Sequence, residues 1–368
     1  MVRGSFYQRL SGFYFCYFAF IGAFAPYFAL YLKFLGYSAA QIGLLLAVNP
    51  VARIFGSNLW GWLSDHYRAR GLLIRLTAAG TAAVFTAVFF NHGFGWMFAA
   101  LLLLNVFWCG VLPLAESATL SLVGSRVGTY GRVRLWGSVG FLAVVILGGY
   151  LLDFFGMGTL APMVLTLLVL MAGSTFFLPR DREPSHHTEH ASILSILARP
   201  EVIALMGGFF LMQVAHGPYN AFYSIHLVEA GYSKTAVGWL WSLGVFAEIG
   251  LFVLLPRLMR AYSLNQILLF SFACAFVRLL MIAWGVGSLT ILLGAQLLHA
   301  ITFGAFHSAG VAMMHQIFRG RNQARGQALY TSLGYGLGGT LGTLMAGYSW
   351  ETLGSAWTFT FAATAALL

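Results

Sequence analysis

Charge is what this sequence has least of. Charged side chains make up 8% of its 368 residues, against about 25% in an ordinary soluble domain. No polar surface can be drawn around a core of this length, so a water-soluble body is excluded and lipid must be the solvent for most of the chain. Cysteine is scarce too. The three present, Cys16, Cys109 and Cys274, fall inside apolar runs, which excludes a disulfide framework and a CxxC metal site. Polar segments are short throughout, leaving no soluble domain to hold separate chemistry. The first apolar run has no small-residue cleavage site followed by a soluble body, and it reads as a retained span rather than a signal peptide.

What the sequence has in abundance is apolar length: 60% hydrophobic residues and a mean hydropathy of +0.82. A bilayer is crossed by about 20 apolar residues in a helix. Punctuation between the runs predicts an all-α membrane protein with spans at 12–33, 41–64, 72–91, 95–121, 133–153, 158–178, 201–223, 235–256, 264–284, 288–316 and 325–347. A final run from 355 to Leu368 has 14 residues, too few to cross, and is expected to be an incomplete twelfth span.

The net charge of +10 raises nucleic acid as a partner, but its distribution points to a lipid bilayer instead. With a cytoplasmic N terminus, 16 of the 20 basic residues fall in cytoplasmic loops and their flanks, among them Arg9, Arg68, Arg70, Arg75, Arg132, Arg134, Arg257 and Arg319. Only Lys33 and Lys234 fall opposite. This is the positive-inside bias of a multi-pass membrane protein. The two remaining basic residues, Arg53 and Arg278, lie inside spans.

The polar stretch "PRDREPSHHTEHAS" (179–192) divides the spans into two groups of six. The expected organisation is an N-terminal six-helix bundle over 1–178, a cytoplasmic linker over 179–200 and a C-terminal six-helix bundle over 201–368. The halves repeat one another. "GYSAAQIGLLLAVNPVARI" from Gly36 aligns with "GYSKTAVGWLWSLGVFAEI" from Gly231 at an offset of 195, and the same offset pairs Gly131 with Gly326. A repeat of this period marks duplicated architecture. Two parallel six-helix halves are the arrangement of the major facilitator transporters, whose substrate site lies between the halves near the midplane.

The repeat places Arg53 and Glu248 at equivalent positions with opposite charges. Burying either one in a span costs about 2.5–3.5 kcal/mol on insertion scales, and a partner or a wet cavity relieves the cost. A purely structural ion pair is one account of them. Six other ionisable residues need the same relief, however: Glu116, Arg134, His216, Arg278, His299 and His307. His299 and His307, eight apart, share a helix face. A shared polar cavity explains all eight together.

The loop "GWLSDHYRAR" (61–70) resembles the major facilitator signature in Gly61, Leu63, Ser64, Asp65 and Arg70, with Arg68 where glycine is usual. Such a loop can lock one access state through its Asp, which assigns Gly61, Asp65 and Arg70 to conformational gating. Longer stretches resemble the lactose permease-like proton symporters: "GAFAPYFALYLK", "PLAES" with Pro113 and Glu116, and "YGRVRLWGSVGF" with Arg132 and Arg134. "QVAHGPYNAFYSIHLVEAGYS", "VGWLWSLGVFAEI" and "LLHAITFGAFHSAG" are similar to the phenylpropionate permease branch. The resemblance covers nearly the whole chain.

What the resemblance implies is a substrate site containing Glu116 and Arg134, and a proton-coupling cluster of Glu248, Arg278 and His299. Arg53, opposite Glu248 in the repeat, is grouped with that cluster. The sugar branch stacks a tryptophan on its substrate at the position of Phe141, so an aromatic substrate fits better here than a sugar. The sugar symporters also carry a glutamate where this chain has Thr302, a hydroxyl that cannot deliver the proton. A carboxyl in low dielectric favours its neutral form, whereas a nearby arginine favours the charged one. Glu248 between those influences is the expected proton carrier, shared with His299, whose ring titrates naturally near neutrality.

An aromatic carboxylate such as 3-phenylpropionate needs a cation, an apolar slot and a donor. Arg134 offers paired donors, with Arg53 and Arg278 as rivals. His216, Tyr219, Asn220, Tyr223 and His307 join the expected substrate site, and Gly217–Pro218 reads as a local break that lets the seventh span bend. The expected function is proton-coupled symport of a small organic substrate by alternating access. The expected chain needs no cofactor beyond the proton gradient as energy source. It acts as a monomer in the bacterial inner membrane and binds no nucleic acid. A sugar or nucleoside symporter remains an alternative, as does a non-transporting ligand sensor. An integral-membrane enzyme would have no reason to repeat its first half. "HHTEH" (186–190) reads as solvated linker rather than a zinc site.

Overall fold

The computed structural model describes residues 4–90, 93–123, 127–178, 194–319 and 322–368. Residues 179–193, which hold most of the expected linker and all of "HHTEH", lie outside them. Among the described residues there are helices and no strands. In lipid this follows from hydrogen bonding, because a helix satisfies every backbone group within its own segment.

The first half forms α1 (Gly4–Phe34), α2 (Ala39–Tyr67), α3 (Arg70–Phe85, continued by a 3₁₀ turn over Thr86–Phe89), α4 (Phe94–Val123), α5 (Val127–Phe155) and α6 (Leu160–Thr175). The short α7 (Leu194–Leu197) precedes α8 (Pro200–Glu229), α9 (Lys234–Ala261) and α10 (Leu264–Gly285). A π-helical segment, Ala300–Ala305, joins α11 (Leu289–His299) to α12 (Phe306–Ile317). A second, Thr331–Gly338, joins α13 (Gln323–Tyr330) to α14 (Gly339–Leu353), and α15 covers Ser355–Leu367. Ten of these helical runs are long and apolar enough to cross a membrane. The run Gln323–Leu353 is helical throughout, but its polar first turns and its glycines make it less apolar than those ten.

The offset of 195 recurs in the helix boundaries. α2 begins at Ala39 and α9 at Lys234; α4 begins at Phe94 and α11 at Leu289; α6 begins at Leu160 and α15 at Ser355. The repeated Gly-Tyr-Ser has a physical reason. Gly36 and Gly231 have φ of 92° and 93°, a left-handed conformation in which glycine meets no Cβ penalty. The Tyr37 N–H donates to the Leu32 carbonyl at 3.2 Å, and the Tyr232 N–H to the Leu227 carbonyl at 3.0 Å, closing both preceding helices in the same Schellman fashion. The Ser233 hydroxyl then caps α9 by accepting from the Ala236 N–H at 3.1 Å.

The chain forms two compact units, one of Met1–Tyr37 with Val51–His186 and one of Ser38–Pro50 with His187–Leu368. Within the first, α1 packs against α5 and α6, and α3 against α4 and α6; within the second, α8 packs against α14 and α15, and α10 against α11, α12 and α15. Glycine makes these approaches possible. A Cβ at Gly22 would stand 2.6 Å from the Phe141 carbonyl oxygen, and one at Gly140 would run into the Phe15 carbonyl. Gly217 does the same job, because a Cβ there would strike the Gly342 backbone. The break expected at Gly217–Pro218 is therefore absent: α8 runs unbroken from Pro200 to Glu229, and the glycine serves close packing. The helices' outer faces carry large exposed apolar side chains such as Phe154, Phe90, Val253 and Leu269, a surface suited to lipid.

Candidate functional site

The first unit holds Glu116 on α4 and Arg134 on α5. The Arg134 Nε lies 3.7 Å from Glu116 Oε1, with both side chains about one third exposed (35% and 33%). The Tyr130 hydroxyl, one turn before Arg134, donates to the same carboxylate oxygen at 3.3 Å. The guanidinium also lies over Phe18, 3.9 Å from the ring centroid. The pair thus offers acceptor and donor atoms beside an aromatic face, with the cation already balanced by an anion. Phe141 is half-buried further along α5, and Arg53 is exposed on α2.

The second unit brings together more of the expected residues. Tyr219, buried on α8, is the hub. Its hydroxyl donates to Gln296 Oε1 at 3.1 Å. Its ring stacks on Tyr223 at 4.8 Å and meets Trp241 at 5.1 Å and His299 at 5.5 Å. Arg278 of α10, with no exposed surface, lies 4.0 Å above the centroid of the same ring. Its Nε donates to the Ala295 carbonyl at 3.0 Å and its Nη1 to the Thr302 hydroxyl at 3.3 Å. Among the described residues Nη2 makes no hydrogen bond, nor do the Tyr223 hydroxyl, Gln296 Nε2, His216 Nε2 or His299 Nδ1. His216 is fixed through Nδ1, 2.8 Å from the Met212 carbonyl.

Glu248, half-buried on α9, packs against the π segment at Gly304; a Cβ on that glycine would stand 3.1 Å from Glu248 Cγ. His299, Phe303 and His307 form a stacked column, with centroids 5.4 and 6.4 Å apart and planes 11° and 14° from parallel. At its far end His307 Nδ1 meets the Tyr330 hydroxyl at 3.1 Å and the Tyr335 hydroxyl at 3.0 Å. Asn220 lies on the exposed side of α8, one residue round from Tyr219, and does not join the buried cluster. Gln296, Trp241, Phe303, Tyr330 and Tyr335 escaped the sequence analysis. Neutral groups carry no burial penalty large enough to stand out in an apolar run, so only their neighbours single them out.

Comparison with known proteins agrees with this architecture. A model of the MFS_1 like family matches residues 7–361. The chain belongs to the major facilitator superfamily. It is 32% identical over 354 residues to a protein of Escherichia coli (strain K12) named "Probable 3-phenylpropionic acid transporter", covering 93% of this chain and 90% of that one. It is 28% identical over 352 residues to the maltose permease of Geobacillus stearothermophilus, covering 92% and 86%. A crystal structure of a variant of the nucleoside transporter NupG superposes with a TM-score of 0.88 at 16% identity, covering 98% of this chain and 97% of that one; at that identity the likeness is one of fold. The phenylpropionate branch read from the sequence agrees with the first of these relatives. The chain is an integral membrane secondary transporter of a small-molecule substrate, and its relatives are transporters rather than enzymes.

In this major facilitator chain the loop after α2 has a feature of its own. Arg68 has φ of 50° and is alone among the described non-glycine residues in a positive-φ conformation. It occupies the position where the family signature has glycine. Arg70 is buried and its Nη1 donates to the Ser121 hydroxyl at 3.4 Å, tying the loop to α4. Asp65 is exposed in the last turn of α2, where the helix dipole disfavours a negative charge. A Cβ at Gly61 would meet nothing within 4 Å.

Proposed function

We propose that the chain is a proton symporter that takes up a small aromatic carboxylate, of which 3-phenylpropionate is the model, across the bacterial inner membrane by alternating access. The observation that carries this reading is the cluster around Tyr219, where a buried cation and His299 meet aromatic rings beside donors that make no hydrogen bond among the described residues. An aromatic acid needs this combination of cation, π surface and donors. The name of the Escherichia coli relative supports the same class.

Proton coupling is assigned to Glu248 with His299. Glu248 is the carboxyl on α9 beside the π segment. Loading a proton there removes a charge that low dielectric penalises, so occupancy by the proton can be linked to movement of the helix. Gly61, Asp65 and Arg70 are assigned to gating, the N terminus to the cytoplasm, and a single copy to the working unit. The proton gradient supplies the energy, with no cofactor.

The test is uptake of radiolabelled 3-phenylpropionate into proteoliposomes, with and without an inward acid gradient. Gradient-driven accumulation is expected in the native protein. In Glu248→Gln accumulation is lost and equilibrium exchange is kept, because the neutral amide mimics the loaded state. Accumulation that survives in Glu248→Gln moves the proton elsewhere. A sugar is the second reading, favoured by the Glu116–Arg134 pair, which presents an acceptor and a donor together as hydroxyl groups require. Sugar binding gained by Phe141→Trp would strengthen it.

A further inference from the structure

Arg278 and Arg134 differ in one respect that decides which can receive an anion. Arg134 is about one third exposed and faces the Glu116 carboxylate. Arg278 is wholly buried, and its neighbours are a carbonyl, a hydroxyl and the face of a phenol ring. None of these carries a full negative charge. Burying a cation is costly unless an anion or a dense set of acceptors offsets it. Here one terminal nitrogen, Nη2, donates to no acceptor among the described residues.

Two more buried groups beside Tyr219, Gln296 Nε2 and the Tyr223 hydroxyl, face each other but make no hydrogen bond of ordinary geometry among the described residues. Unmade hydrogen bonds of this kind are rare in buried positions and call for an explanation. All three groups can donate, and donors converging on a carboxylate form strong, charge-assisted bonds. Next to them stands a flat surface, the near-parallel His299 and Phe303 rings. Both residues are only partly buried, and with the faces of Phe303 taken by His299 and His307 a further ring meets the column at its exposed edge.

Resting on the aromatic-acid reading above, we infer that Arg278, not Arg134, is the anchor for the substrate carboxylate, with Gln296 and Tyr223 as additional donors and the edge of Phe303 as the contact for the aromatic ring. Thr302 is part of the device. By giving Arg278 a hydroxyl instead of a carboxylate, it leaves the cation's charge to be balanced by the ligand.

The experiment measures binding of 3-phenylpropionate and of its uncharged analogue 3-phenylpropanamide to the detergent-purified full chain. Native protein, Arg278→Gln, Arg134→Gln and Thr302→Glu are compared. Native protein is expected to prefer the acid. Arg278→Gln should lose about 30-fold or more in affinity for the acid, the lower bound for truncating one partner of a buried charge pair, and much less for the amide. Thr302→Glu keeps the arginine and fills its anion site from within, so it should also lose at least about tenfold in acid affinity. This second variant serves where Arg278→Gln does not fold. Arg278→Gln or Thr302→Glu with the native acid preference overturns the anchor while leaving the aromatic-acid reading in place. Loss of that preference in Arg134→Gln instead of Arg278→Gln overturns it as well. Native protein that binds sugars or nucleosides and no carboxylate removes the aromatic-acid reading, and the anchor with it.

Discussion

Arg68 shows how much one backbone angle can say. Its φ of 50° places an L side chain in the region where the Cβ crowds the following carbonyl. Strain of this kind costs about 1–3 kcal/mol and persists where surrounding structure imposes it. The neighbours impose it here, since α2 ends at Tyr67 and α3 begins at Arg70. Arg68→Gly is therefore expected to raise the thermal unfolding temperature of the purified protein, read by tryptophan fluorescence. An unchanged or lower temperature would mean that the Arg68 side chain contributes more than its backbone costs. Phe303 makes a second case at this scale. Phe303→Ala removes the middle ring of the His299–His307 column and is expected to weaken 3-phenylpropionate binding by up to about tenfold, in keeping with an edge-to-face aromatic contact. Binding that is indifferent to Phe303→Ala would place the substrate ring elsewhere.

Helix pairs are set by glycine. α8 and α14 meet where a Cβ at Gly342 would run into the Val214 carbonyl and one at Gly217 into Gly342 itself. Overpacking such a contact costs about 1–3 kcal/mol. Gly342→Ala should therefore lower the unfolding temperature and the yield of monodisperse protein in size-exclusion chromatography. Gly207→Ala, on the same α8 but with nothing within 4 Å of its Cβ, should instead be neutral or stabilising, because glycine in a helix interior costs about 0.5–1 kcal/mol relative to alanine. Equal effects of the two substitutions would show that close approach does not govern the α8–α14 contact. The π segments belong to this scale too. Ala300–Ala305 follows directly after His299, and Thr331–Gly338 contains Tyr335. Each widens a turn next to a residue of the polar cluster, as π segments at functional sites commonly do.

The molecule as a whole is a duplication, and the proposed proton coupling is a property of the whole of it. With Glu248 as the proposed proton site, accumulation should follow the size of the acid gradient. Adding a protonophore to loaded proteoliposomes is expected to release accumulated 3-phenylpropionate down to its equilibrium level without stopping exchange. A plateau unaffected by the protonophore would exclude proton coupling. The repeat also explains which parts of the fold were legible. An offset found between Gly36 and Gly231 recurs at the starts of α2 and α9, α4 and α11, and α6 and α15, and at α2 and α9 the same left-handed glycine closes the preceding helix in each copy.

Composition and the spacing of apolar runs determined that this chain is helical, crosses a membrane repeatedly and is built twice. Lipid leaves a chain few other ways to satisfy its backbone, so these properties need no knowledge of packing. The ionisable residues within the spans were equally visible, since burying any of them is expensive enough to mark it. Only the tertiary structure decided which of them meet. Arg278, His299 and Tyr219 come from three different helices, and whether they touch depends on how each helix is rotated about its axis. That rotation is fixed by side-chain contacts and glycine clearances between helices, such as Gly217 on Gly342 and Glu248 on Gly304. The same dependence turned Asn220 to the exposed side and gave Gln296, a residue with no charge to announce it, a place beside the buried arginine.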